Sequence, residues 1–141
     1  MAKEEPTAEQ PVVRYPLGDT QREEITSRAG KRLSDLTIEA VRAGRVQGED
    51  LSIHSDTLRA QAGIADKAGF PQLAANLRRA AELAAIPDKK VLAIYEGLRP
   101  YRLRHDQLLA LADELAADYG AEETARYIRQ AADAYRSRGL A

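Results

Sequence analysis

Six cations crowd one stretch of the chain: Arg78, Arg79, Lys89, Lys90, Arg99 and Arg102, with Tyr95 and Tyr101 among them. A guanidinium is a planar five-donor fork that suits a carboxylate. Arginine and tyrosine are also the types enriched where interfaces concentrate binding energy. No nucleophile paired with a base and no metal-ligand cluster accompanies these cations, so they form no catalytic set. One reading makes them a solvated helix face. The other, which the concentration of Tyr with Arg supports in part, makes Arg78, Arg79, Tyr95, Arg99, Pro100, Tyr101 and Arg102 a protein interface.

The remaining candidates read as ordinary surface. His54 and His105 are the only histidines, and with no cysteine they do not make a metal site. They are expected to be plain exposed histidines. Glu23-Glu24 and Glu122-Glu123 fall in first turns of expected helices, where acids favour the helix dipole without any acid–base role. No glycine sits in a phosphate-cradling motif. The residues themselves therefore give catalytic none and metal none.

The chain has 141 residues, 44% of them hydrophobic and 30% charged, with a formal net charge of −1. That length suits one domain with a modest core. The near-neutral charge argues against a nucleic-acid binder, including a helix-turn-helix one. There is no apolar run long enough for a membrane span and no signal peptide, so a cytoplasmic protein is expected.

The elements that must position the arginines are helices. Phe70 to Arg102 reads as two, punctuated by proline. Pro71 opens the first, with Leu73, Leu77, Ala80, Ala81 and Ala84 inward, and Pro87 stops it. Pro87-Asp88 opens the second, with Val91, Ile94, Tyr95 and Leu98 inward, and Pro100 ends it. Upstream, a short helix is expected within Arg22 to Arg32, ending near Gly30, then one capped by Asp35 with Leu36, Ile38 and Val41 inward. Another is capped by Ser55, with Leu58, Ala62 and Ala65 on one face. Downstream, one helix runs from about His105 to Tyr119 and another from about Glu122 to Arg138, stopped by Gly120 and Gly139.

Residues 1–21 are polar and proline-rich, and are expected to form a flexible or extended arm before a helical domain over 22–141. The exception is the short apolar set Val12, Val13, Tyr15 and Leu17, which either packs on its own domain or docks on a partner. The expected fold is all-α, several short helices in an open, non-bundle arrangement. An internal echo is also visible. Ile64-Ala65-Asp66 followed by Leu77-Arg78-Arg79-Ala80-Ala81-Glu82 parallels Leu111-Ala112-Asp113 followed by Ile128-Arg129-Gln130-Ala131-Ala132-Asp133. The offset between the two grows by about one helical turn, as two related hairpins of different length would require. The alternative is that alanine-rich amphipathic helices resemble one another by composition.

RRAAELAAIPD followed by VLAIYEGLRPYR resembles the signature region of the small (gamma) subunit of adenosylcobalamin-dependent diol and glycerol dehydratases. GKRLSDLTIEAVRAG and TLRAQAGIADKAG agree with earlier segments of that family, in order. The matching positions include Asn76, Arg78 to Leu83, Pro87-Asp88, Ile94-Tyr95 and Leu98 to Arg102. The chain departs at Lys89, where the family tends to be acidic, at Glu96, where asparagine is usual, and at Leu103-Arg104-His105. The resemblance implies a non-catalytic subunit with a structural role in a lyase that converts 1,2-propanediol or glycerol to the aldehyde plus water. It implies large (alpha) and medium (beta) partner subunits in a dimer of heterotrimers. Those partners, not this chain, would bind the adenosylcobalamin, and enclosure in a bacterial microcompartment is an option. The rival class is a stand-alone helical interaction or regulatory module.

Overall fold

A computed structural model describes residues 15–141. Val12 and Val13, with the rest of the arm through residue 14, lie outside the described residues. Among the described residues the chain is all-α, with seven α-helices and no strand. They are α1 (Leu17–Thr20), α2 (Ile38–Arg42), α3 (Ser55–Lys67), α4 (Pro71–Leu83), α5 (Asp88–Gly97), α6 (His105–Tyr119) and α7 (Glu122–Arg138). Two antiparallel hairpins, α3–α4 and α6–α7, make most of the helix–helix packing, and α4 also touches α7. Leu17 in α1 is buried, so this member of the apolar set packs on its own domain.

The first half holds the corrections. No helix forms over Arg22 to Arg32. Gly30 adopts φ 85°, and this turn brings Thr26 antiparallel to Arg32, while Ser27 bridges Ile53. The amides a helix would use are spent elsewhere: the Ser27 N–H donates to the Lys31 carbonyl at 2.7 Å and the Arg28 N–H to the Ser52 carbonyl at 2.8 Å. Thr37, not Asp35, caps α2: its Oγ1 accepts from the Ala40 N–H at 3.1 Å. Ile38 and Val41 face outward, and Ala40 is the buried residue. His54, not Ser55, caps α3, with Nδ1 accepting from the Asp56 N–H at 3.1 Å.

Pro71 sits in the first turn of α4 as expected. The buried seam of that hairpin is Ala62, Ala65 and Ala74 with Leu77 against it, whereas Leu73 is exposed. Three alanines let the two backbones approach closely but bury few methyl groups. The main core lies in the second half. Leu108, Ala112 and Leu115 of α6 meet Ala125, Ile128 and Ala132 of α7, all fully buried. Ile86 and Ile94 close over them, with Val91, Leu98 and Leu103 packed at the edge. Gly120 (φ 62°) and Gly139 (φ 66°) end α6 and α7 in the left-handed conformation that favours glycine.

Candidate subunit interface

The seven candidate residues fall into three groups, which the structure does not merge into one patch. Arg78 leaves α4 towards α3 and forms an ion pair with Asp66. It therefore straps the first hairpin. Its neighbour Arg79 points the other way. It donates to Asn76 Oδ1, and its guanidinium lies 4.6 Å from the centre of the Tyr127 ring on α7. A cation over an aromatic face is held by the ring quadrupole. Arg79, Tyr95 and Tyr127 rim a shallow depression of about 200 Å³ floored by Ile94, Thr124 and Ile128. Tyr95 was expected to face inward, but the ring is 60% exposed at this rim. Ile94 alone reaches the centre, because α5 meets the core through a narrow stripe.

The third group is the corner between α5 and α6. Helix α5 stops at Gly97, before Pro100, so Arg99 to Arg102 are turn residues. Arg99 and Arg102 both converge on Glu96, each at 3.1 Å. These exposed pairs contribute little to stability. They do hold both guanidinium groups at Glu96, and Tyr101, between the two arginines in the chain, is strongly exposed.

The residue that sequence reasoning missed is Glu82. Ala121 precedes α7 and provides no side-chain cap. Glu82 reaches across from the end of α4 instead. Its Oε1 accepts from the Glu123 N–H at 2.9 Å. Its Oε2 accepts from the Thr124 N–H at 2.8 Å and from the Thr124 hydroxyl at 2.6 Å. A carboxylate there satisfies open amides and complements the positive end of the helix dipole. The one available signal was a long helix with acids in its first turn but alanine at its cap.

His105 is not a plain exposed histidine. It is about one-fifth exposed, and its Nε2 lies 2.9 Å from Asp133 Oδ1, tying the start of α6 to α7. This contact with His105, helped by the nearby Arg136 charge, holds the Asp133 carboxyl below its usual range. Beside it, Arg104 does the same to Asp106 through paired guanidinium bonds. Among the described residues no group of three His, Cys, Asp or Glu could hold a metal ion, and no helix is long and apolar enough to cross a membrane.

The described residues are all helix and turn, and the candidate arginines and tyrosines stand in three separate places on them. The chain belongs to the dehydratase small subunit family, whose sequence profile it matches over residues 11–141. Among particular relatives, it is 44% identical over 124 residues to the propanediol dehydratase small subunit of Citrobacter freundii, covering 88% of this chain and 72% of that protein. It is 45% identical over 121 residues to the propanediol dehydratase small subunit of Salmonella typhimurium, covering 86% and 70% respectively. A small subunit implies larger partner subunits in one complex.

Proposed function

We propose that this chain is the small subunit of a coenzyme B12-dependent diol dehydratase, which converts 1,2-propanediol or glycerol to the corresponding aldehyde and water. The observation that carries this reading is the 44–45% identity to two propanediol dehydratase small subunits along most of the chain. In this reading the partners are a large and a medium subunit, assembled as a dimer of heterotrimers in the cytoplasm or inside a microcompartment. Adenosylcobalamin, held by those partners, supplies the radical when bound. The described residues of this chain do not fit that cofactor. His54 Nδ1 caps α3 and His105 Nε2 faces Asp133, so both imidazoles are already engaged within the chain.

The role of this chain is assembly. Arg79 with Tyr95, and Arg99, Pro100, Tyr101 and Arg102 at the corner, make two separate contacts with the partners, and Arg78, held by Asp66, makes a third. Exposed arginine and tyrosine side chains support this, because these are the types enriched where interfaces concentrate binding energy. The test is copurification. A tagged chain expressed with the partner subunits should bring both down, and the isolated chain with added adenosylcobalamin should turn over no diol. Turnover by the chain alone would contradict the proposal.

A further inference from the structure

Among the described residues, Tyr101 is the one non-glycine residue with a positive φ, 66°. In that left-handed region the Cβ of an L-residue crowds its own backbone, so Gly, Asn or Asp ordinarily fills the position. The backbone at Tyr101 is nevertheless held firmly. Its N–H donates to the Leu140 carbonyl at 2.8 Å. The Tyr135 hydroxyl donates to the Leu98 carbonyl at 2.7 Å, fixing the approach to the corner. Leu103 packs so closely on Gly97 that an added Cβ would lie 2.7 Å from its Cδ1.

The side chain takes no part in any of this. Its surface is 76% exposed, and its hydroxyl has no hydrogen-bond partner among the described residues. A glycine would keep every contact of the corner and relieve the backbone. The fold therefore carries a strained conformation whose aromatic ring it does not use. Backbone outliers of this kind collect where function over-determines the local structure.

We propose that Tyr101 is the anchor by which this chain plugs into a larger subunit of the dehydratase. The ring enters an apolar slot, and a carboxylate on the slot's rim meets the guanidinium groups of Arg99 and Arg102. Charge supports the rim: two arginines share the single carboxylate Glu96, so the corner carries a net positive charge. Exposure supports the slot: the fold leaves this aromatic residue 76% in water, and docking would remove that apolar area from solvent. This inference rests on the small-subunit reading and adds the contact that makes the assembly.

The experiment compares Tyr101→Gly, Tyr101→Asn and the unaltered chain. Each is measured by thermal unfolding alone and by its dissociation constant for the complex of the partner subunits. Both variants should unfold at or above the unaltered chain's temperature, while their affinity falls at least about tenfold, as for a hot-spot aromatic. A smaller loss of affinity in both variants, with the unaltered chain binding normally, overturns the anchor but leaves the small-subunit reading intact. Lowered unfolding temperatures in both also overturn it, because the ring would then belong to the fold. An unaltered chain that fails to bind the partners removes both readings together.

Discussion

The hairpins α3–α4 and α6–α7 follow one plan and end with different interiors. The Asp66–Arg78 pair that straps the first has its counterpart in Asp113–Arg129, at 2.8 Å, in the second. The seam alanines correspond as well: Ala65 with Ala112, Ala74 with Ala125 and Ala81 with Ala132, all buried. The echo read in the sequence is therefore matched by equivalent contacts. The outer faces differ. Gln61, Ile64, Ala68 and Leu73 stand where the second hairpin has Leu108, Leu111, Leu115 and Thr124. Leu108, Leu115 and Thr124 are buried under Ile86 and Ile94, while Leu73 and the neighbouring Phe70 remain half or more exposed. An alanine seam sets how closely two helices pack, and an overlying layer decides how much apolar area leaves water.

The comparison also separates two acids at equivalent positions. Glu82 leaves its own hairpin to cap α7, and Asp133 stays at home on His105. One extra methylene and a neighbouring open helix end account for the difference. Glu82 thereby fastens the lightly packed hairpin to the well-packed one.

The largest expected effect tests the difference in burial. Leu115→Ala should lower stability by about 2–5 kcal/mol, the range for a fully buried leucine that leaves a cavity. Leu73→Ala on the open face should change it by about 0.5 kcal/mol or less. Urea unfolding of the two variants measures both. Similar losses would mean that the outer face of the first hairpin is as closed as that of the second.

Glu82→Ala comes next. Loss of a helix cap costs about 0.5–2 kcal/mol, and the upper half is expected here because both carboxylate oxygens are used. Hydrogen exchange at the Glu123 and Thr124 amides should accelerate, with the interior of α7 little changed. Unchanged exchange at those two amides would remove Glu82 from its capping role.

The smallest effect is acid dependence within the second hairpin. A carboxyl whose folded pKa is depressed adds stability that is present above its ordinary value near 3.9 and lost as pH falls through the folded value. Asp133 should therefore titrate below that ordinary value in the folded chain, and His105→Ala should move it back up. Carboxyl-detected NMR follows this directly. An Asp133 titration that ignores the His105 substitution would show that the contact carries no electrostatic weight.

Much of this was legible in the sequence wherever the signal was local. The bounds of α6 and α7 follow from their apolar periodicity and from Gly120 and Gly139 as stops, and the family from three motifs in order. The first half was harder. A helical reading of Arg22 to Arg32 looked adequate until Gly30 folded the segment onto Arg32 and Ile53, and pairing of that kind has no local signature. Leu73 and Tyr95 sit in stripes where alanine or isoleucine one residue away satisfies the same period, so periodicity alone could not choose the buried member. Glu82 was invisible for a related reason: its acceptors serve amides some 41 residues away. The interface residues were found by type, but their division into three groups depends on Asp66, Tyr127 and Glu96, which no spacing rule ties to them.

The most direct test of the account is the mass of the complex. The chain should be coexpressed with the large and medium subunits, purified through a tag on the large one, and weighed by native mass spectrometry. The account predicts a species with two copies of each subunit, including two copies of this 15.5 kDa chain. A complex of the larger subunits alone, with this chain recovered separately as a free monomer, would contradict it.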